Sequence, residues 1–395
     1  MTEPPPSSAT AAHAPGPLRI ILQQPALPKY RIPVFRELAA RPGLEVTVLY
    51  SGGSDIPAAA ADGFEATRVQ ERILLRRPRQ LRWEPAQIAS ASRRRCDVLV
   101  LEWNAGVASL VPALLLARLR GVGTVLWGHG YSKREQPGAR AVRNAVGRLA
   151  DCLLLYNHMA ADALVAYGFR PDRIFVALNA LDQTPIARAR DTWRASPGRM
   201  QEFRESRDVA GRRIVLFVSR LEADNGIDLL IRAAASLKDS RPELTVAIIG
   251  HGPAQPDLER LAAELGVADR VRFLGAIYEE DELAPWFLAA DVFCYPRNIG
   301  LSLLHAFGYG LPVITDDNLR AQNPEIEALR DGKNGLLYKA GDTGALAAAI
   351  DRLLTDEPLR QRLSAEAERT VAEQFTLANM VDGMEAAIRA AAKRG

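Results

Sequence analysis

Residues 291–315 read DVFCYPRNIGLSLLHAFGYGLPVIT, and three patterns follow one another in them. Asp291–Tyr295 is a short apolar and aromatic run of the kind that forms a buried strand. Pro296-Arg297-Asn298-Ile299-Gly300 is turn chemistry, and the segment from Leu301 to Tyr309 is helix-length and apolar on nearly every side. Gly310 closes it, and Pro312–Thr315 is a second strand-like run. Strand, buried helix and strand in this order belong to a parallel α/β sheet covered by helices. The polar exceptions in the helix, Ser302, His305 and Tyr309, fall within about a 60° stripe at about 100° per residue. Gly300 uncovers backbone N–H groups at the helix start, where the dipole favours an anion, so Gly300, Leu301 and Ser302 form a candidate phosphate seat. A buried helix with a hydrogen-bonded His and Tyr accounts for the same residues equally well.

The same alternation runs outward in both directions. Strand patterns lie at Arg19–Leu22, Glu45–Tyr50, Asp97–Leu101, Thr124–Trp127, Cys152–Leu155 and Ile174–Leu178, with helices at 31–41, 85–94, 106–119, 137–149 and 159–167. A polar, Arg-rich interval from Asp182 to Arg212 breaks the rhythm and reads as a linker. A second series follows at Ile214–Val218, Thr245–Ile249, Val271–Leu274, Asp291–Tyr295, Pro312–Thr315 and Leu336–Tyr338. Helical patterns at 343–354, 357–374 and 376–392 end the chain. The expected organisation is a disordered tail over 1–17, two Rossmann-like domains over 18–200 and 201–375, and a final helix over 376–395 that crosses back to the first domain.

With 395 residues, the chain is too long for one small module. The 50 basic residues nearly balance 47 acids, which excludes a polyanion-binding role for the whole surface and leaves room only for a local anion site. Six of the basic residues are lysine and the rest arginine, a bias that coding composition explains. Cys96, Cys152 and Cys294 lie far apart in apolar runs, so neither a disulfide framework nor a zinc site is expected, and a reducing, cytoplasmic setting fits. No apolar stretch is long enough to span a bilayer. The basic stretch 68–95, which includes Arg76-Arg77-Pro78-Arg79 and several apolar residues, could lie on an anionic membrane; a solvated helix face is the plainer reading.

Open parallel sheets bind ligands beyond the carboxyl ends of their strands. Arg220 follows the first strand of the second series and could grip phosphate with its fork, or simply pair with Glu222 or Asp224. Gly250-His251-Gly252-Pro253 is a tight turn on the same edge. In the first series, His129 sits between Gly128 and Gly130 and could reach a sugar hydroxyl or stabilise developing charge. Lys29, Tyr30 and Arg31 could reach an acceptor across an interdomain cleft, or cap the next helix.

These residues carry a resemblance. Leu216 to Leu221, Ile248 to Pro253, Gly300 to Ala306 with Gly310 to Thr315, and Asp331 to Leu337 together resemble family 4 of the retaining glycosyltransferases, over about 120 residues. The resemblance implies the GT-B architecture of two facing Rossmann-like domains and a nucleoside diphosphate sugar as donor, with no further cofactor. It also implies hexose transfer with retention to a polysaccharide, glycolipid or metabolite acceptor. In that family an Arg and a Lys five residues later grip the diphosphate, and two Glu eight residues apart contact sugar and ribose. Here the Arg is Arg220, but the other three positions hold Asn225, Arg297 and His305. Arg297 restores the cation lost at Asn225, and with Arg220 and His129 it is the expected catalytic set. Donor contacts are expected from Arg220, Asn225, Gly250, Arg297, Gly300, Leu301, Ser302 and His305. No Asp-x-Asp motif is present, so metal independence is expected, and no nucleic-acid partner. The changed positions leave two alternatives: a weak or inactive sugar-nucleotide-binding protein, and an epimerase or hydrolase of the same architecture.

Overall fold

The computed structural model describes residues 16–52, 58–75, 81–133 and 136–395. Most of the expected tail and the Arg76-Arg77-Pro78-Arg79 cluster lie outside the described residues. The first part of the chain forms β1 (Leu18–Gln24), α1 (Ile32–Ala39), β2 (Leu44–Tyr50), β3 (Glu65–Arg68), β4 (Arg72–Leu75), β5 (Leu81–Trp83), α2 (Pro85–Ser90), β6 (Val98–Glu102) and α3 (Leu110–Leu119). It continues with β7 (Gly123–Gly128), α4 (Pro137–Gly147), β8 (Cys152–Leu155), α5 (His158–Ala166), β9 (Ile174–Val176), α6 (Thr184–Arg194) and α7 (Pro197–Ser206). The second part forms β10 (Arg213–Val218), α8 (Ile227–Ser236), β11 (Leu244–Ile249), α9 (Gln255–Glu264), β12 (Val271–Phe273), α10 (Glu280–Ala289) and β13 (Val292–Cys294). After it come α11 (Ser302–Gly308), β14 (Val313–Asp316), β15 (Gly335–Tyr338), α12 (Thr343–Thr355), α13 (Glu357–Glu373) and α14 (Leu377–Ala392).

Two Rossmann-like sheets result. One has seven strands in the order β3-β2-β1-β6-β7-β8-β9, the other six in the order β12-β11-β10-β13-β14-β15. β7, β8, β11 and β13 are buried along their whole length, which is why they read as unbroken apolar runs and not as alternating ones. In both sheets the strand order reverses beside the first strand. β1 pairs in parallel with β2 and β6, and β10 with β11 and β13, Val215 lying opposite both Val246 and Val292. The loops that leave adjacent strands there diverge and open a crevice at the carboxyl edge. In the second sheet those two loops are the ones that carry Arg220 and Arg297.

By contacts the chain divides into two compact units, one of residues up to Glu102, Gly106–Val125 and Ala391–Gly395, the other of Trp103–Ala105 and Leu126–Ala390. The chain end thus returns to the first unit, as expected of the last helix. Gly123 makes this possible, because a Cβ there would run into the backbone of Ala391.

Two expectations need correction. The interval 182–212 is not a linker: α6 and α7 fill it, and Ile186, Ala189 and Trp193 belong to the core of the second unit. Trp193 donates its indole N–H to the Asp281 carbonyl at 3.1 Å, and Arg199 lies 3.8 Å above its ring. The stretch 68–95 is not a helix face either. β4 and β5 form an antiparallel ribbon in which Arg72 faces Trp83 and Ile73 faces Arg82, and the helix in this stretch ends at Ser90.

Candidate functional site

The loop after β10 turns through a short 3-10 segment, Ala223–Asn225, into Gly226, whose φ of 70° only glycine adopts without strain. Asn225 is buried and donates its side-chain amide to the Arg220 carbonyl at 2.8 Å, while its own carbonyl accepts the N–H of Arg297 at 3.1 Å. Asn225 therefore laces the β10 and β13 loops together. Arg220 is mostly exposed and holds Glu222 at 2.9 Å, so without ligand it has the surface pairing considered above. An exposed pair of this kind contributes little and is readily exchanged for a phosphate.

Arg297 leans over Gly226, where a Cβ would come within 3.1 Å of its Cγ. The next residue, Asn298, has φ 63°, a conformation that asparagine tolerates better than most residues. Its side-chain oxygen accepts from the Lys133 ammonium, which also reaches the Asn323 side chain at 2.8 Å. Asn323 in turn donates to the Asn298 carbonyl at 2.8 Å. Behind this row, Gln322 is fully buried, accepting from the Ile299 N–H at 2.7 Å and donating to the Asp316 carboxylate at 2.7 Å. Burial raises the Asp316 carboxyl above its ordinary value, against the hydrogen bond from Gln322 and the charge of Arg297. Burial likewise lowers the Lys133 ammonium, against Glu325 and Asp224.

These groups line a cavity of about 870 Å³, whose wall includes Lys133, Asp224, Arg297, Asn298, Asp316 and Asn323. The lining holds two cations, two carboxylates and several amides, and its apolar side chains are Ala321 and Ala340. Such a lining offers donors and acceptors in every direction and suits a polyhydroxylated ligand. A second cavity of about 490 Å³ lies where β10, β11 and β12 end, lined by Ser219, Arg220, Gly250, His251, Ile277 and Tyr278 among others. Gly250 has φ 145°, and a Cβ there would strike the Ser219 carbonyl, so the loops after β10 and β11 touch backbone to backbone.

The expected site residues do not all converge. Arg297 lines the larger cavity, Arg220 and Gly250 the smaller. Asn225 is spent on the loop. His305 lines neither cavity: its Nε2 lies 2.9 Å from the Glu280 carboxylate, its ring stacks on Phe287 at 4.7 Å, and the Tyr309 hydroxyl donates to the same carboxylate. For His305 and Tyr309 the satisfied-polar reading is the one observed. Gly300 stands 3.3 Å, by its absent Cβ, from the Asn323 amide, and Ser302 opens α11, only seven residues long. His129 is exposed just past β7, its ring 5.0 Å from that of Tyr156. In the first unit, Lys29–Arg31 is a 3-10 turn before α1, with the buried Arg31 guanidinium over the Tyr30 ring. Sequence reasoning missed Lys133, Asp316, Gln322, Asn323 and Glu280. Only Asp316 carried a signal, as an acid at the carboxyl end of an apolar run.

Comparison with known proteins adds the following. The family description "Glycosyl transferases group 1" matches residues 199–370, and "Glycosyltransferase Family 4" matches residues 34–184. A GDP-mannose-dependent alpha-(1-6)-phosphatidylinositol monomannoside mannosyltransferase of Mycolicibacterium smegmatis is 29% identical over 75% of this chain and 77% of its own. An alpha-D-kanosaminyltransferase of Streptomyces kanamyceticus is 29% identical over 77% of each chain. Among solved structures, Anabaena HepE in complex with UDP superposes with a TM-score of 0.70 at 18% identity, over 93% of this chain and 98% of that one. Sucrose-phosphate synthase from Thermosynechococcus elongatus gives 0.69 at 20% identity, over 96% and 100%.

Proposed function

This chain belongs to the group 1, family 4 glycosyltransferases of GT-B fold, enzymes that take a sugar from a nucleotide sugar, and on that premise we propose that it transfers a hexose-type sugar with retention. The carrying observation is the large polar cavity beside Arg297 at the point where the second sheet reverses its strand order. In this reading the donor sugar occupies that cavity, the nucleoside lies in the smaller one past Gly250, and the diphosphate bridges them between Arg220 and Arg297. The backbone N–H groups of Gly300, Leu301 and Ser302 are within the same loop and add to the seat. Glu280 supplies, from α10, a carboxylate beside His305, where the family resemblance implies one on the helix itself.

The leaving diphosphate can accept the acceptor's proton on the face it departs from, so the protein's work is electrostatic and needs neither a dedicated carboxylate base nor a metal. Arg220 and Arg297 stabilise the charge that develops on the leaving oxygen, and His129 orients the sugar or steadies the charge on it. Mycobacterial and streptomycete relatives named for a phosphatidylinositol mannoside and for an aminosugar bring glycolipid and small-molecule acceptors into the same class. Lys29, Tyr30 and Arg31 are the acceptor-side residues of this reading.

A thermal-shift panel of nucleoside diphosphate sugars on the wild type and on Arg220→Ala and Arg297→Ala tests the assignment. One donor should stabilise the wild type, and each alanine should weaken that response. Loss of one such charge-stabilising group is worth about 3 kcal/mol, roughly a hundredfold in turnover. Wild-type turnover in Arg220→Ala would refute the electrostatic role. Asp224 and Asp316 in the cavity favour one second reading, hydrolysis or epimerisation of the donor, which needs carboxylates near the sugar. Product analysis with donor alone separates the two: sugar release or epimer formation without acceptor would replace the transfer reading.

A further inference from the structure

From Arg72 to Cys96 the sequence has eight arginines and one acid, Glu84, and from Asn104 to Trp127 it has two arginines and no acid. Glu84 is buried, so neither stretch presents a carboxylate to solvent. The chain as a whole is nearly neutral, which makes this concentration of one charge local. The same stretches hold apolar side chains that the fold leaves bare. On the ribbon strand β4, Leu74 is 50% and Leu75 56% exposed; on α3, Leu115 is 47% and Leu119 83% exposed, in line with Val111. Positions 111, 115 and 119 are one stripe of the helix, while Leu110, Ala113, Leu114 and Ala117 fill the core. Apart from Arg118 in its last turn, α3 is thus apolar all round but covered on one side only, a pattern that a helix facing water does not have.

Ribbon and helix adjoin. Arg82 of β5 takes the Gly106 carbonyl at 2.9 Å, and its own carbonyl accepts from Ala108 at 2.7 Å, in the segment that leads into α3. Around the far end of the helix stand the exposed Arg93, Arg94, Arg95, Arg118 and Arg120, with Asp97, which is held by Arg19, as the neighbouring acid. Among the described residues no helix is long and apolar enough to cross a membrane.

We infer that this face rests on an anionic lipid surface, its leucines entering the headgroup boundary and its arginines meeting lipid phosphates. Charge decides for lipid over a protein partner. Exposed aliphatic side chains in two stretches whose solvent-facing charges are all arginine match the boundary of an anionic membrane. The inference is independent of the transfer reading, since it uses none of the residues placed in the donor site, and either can fail alone.

Flotation of the full chain with phosphatidylcholine vesicles, with and without added phosphatidylglycerol, tests it. Wild type should float with the anionic vesicles at low salt and be released at high salt. Each arginine near such a surface contributes about fivefold, so Arg94→Gln with Arg118→Gln should weaken binding about thirtyfold. Leu74→Ser, Leu75→Ser and Leu119→Ser together should weaken it roughly tenfold or more. All these side chains are on the surface, so melting temperature and the donor-induced thermal shift should stay at wild-type values, which checks that a weakened variant is still folded. Absence of flotation, equal flotation with neutral vesicles, or wild-type binding by both variants would overturn the inference. A dimer that the leucine variant makes monomeric, without vesicle binding, would overturn it in favour of a second copy of the chain.

Discussion

Replacing Gly226 by alanine tests whether Arg297 is held where the donor reading needs it. Gly226 has φ 70°, and its missing Cβ would stand 3.1 Å from Arg297 Cγ, 3.2 Å from its Cδ and 3.3 Å from Pro296 Cβ. Two separable effects follow. The backbone effect is general: a left-handed alanine costs about 1–2 kcal/mol, offset by about 0.4–1 kcal/mol from the stiffer unfolded chain. The net loss is on the order of 1 kcal/mol in stability. The contact effect is specific: the methyl pushes the Arg297 stem off its seat, and a charge-assisted hydrogen bond worth about 1.5–3 kcal/mol is partly lost, so donor affinity should fall about tenfold. Gly266 is the matched control, because its φ is 67° and nothing lies within 4 Å of its absent Cβ. Gly266→Ala should lose the same stability and no affinity. Chemical denaturation of both variants, with titration calorimetry using the nucleoside diphosphate sugar that most raises the wild-type melting temperature, separates the effects. Equal donor affinity in the two variants would refute the placement of Arg297 against the donor.

Burial, helped by the neighbouring Glu102 and Glu71 and opposed by Arg82, pushes the Glu84 carboxyl up from 4.5 to about 7. The neutral carboxyl contributes stability that is fully present below about pH 4.5 and is lost as the pH rises to about 7, a swing of about 3 kcal/mol. Urea denaturation at pH 5 and pH 8 should show this slope in the wild type and its loss in Glu84→Gln; an unchanged slope would show that Glu84 is not its source. Gly383 lies in the middle of α14, where helix propensity alone favours alanine by about 1 kcal/mol, yet a Cβ there would enter the backbone of Val176 and Ala177. Rigid backbone cannot yield as a side chain can, so Gly383→Ala should destabilise the chain by about 1–2 kcal/mol net, read by denaturant midpoint; a gain in stability would mean that α14 shifts freely on β9.

The buried strands were legible because parallel strands covered on both faces are written as unbroken apolar runs. Leu244–Ile249 is one, and none of its residues could face water without loss. β3 and β4 were not legible, since their residues are mostly exposed and their apolar content marks no inner face. α6 and α7 read as a linker because arginine recurs through them and only a few apolar residues, Ile186, Ala189 and Trp193, join the first to the core. The site divided in the same way. Arg220 and Arg297 could be found from position, each one loop beyond a central strand. Lys133, Asn323 and Asp316 could not, because the loops after β7 and β14, far apart in sequence, bring them together, and no local pattern records that meeting.

Asn225, Arg297 and His305, where the family resemblance implies Lys and two Glu, make physical sense as a set. Asn225 is buried with its amide on the Arg220 carbonyl, a place where a lysine ammonium would have to leave the loop or lose its solvation. With no cation there, a carboxylate at 297 would leave the cavity wall with Lys133 against Asp224, Asp316 and itself, a net negative lining that repels a diphosphate. Arginine at 297 removes that excess, and Arg220 adds a cation to the wall of the smaller cavity. His305 follows the same logic one turn into the helix. A carboxylate at that position would meet Glu280 across 2.9 Å, whereas the imidazole pairs with it and stacks on Phe287. Asn225→Lys, Arg297→Glu or His305→Glu alone should therefore weaken donor binding, because each residue is matched to a neighbour that the substitution would leave in place.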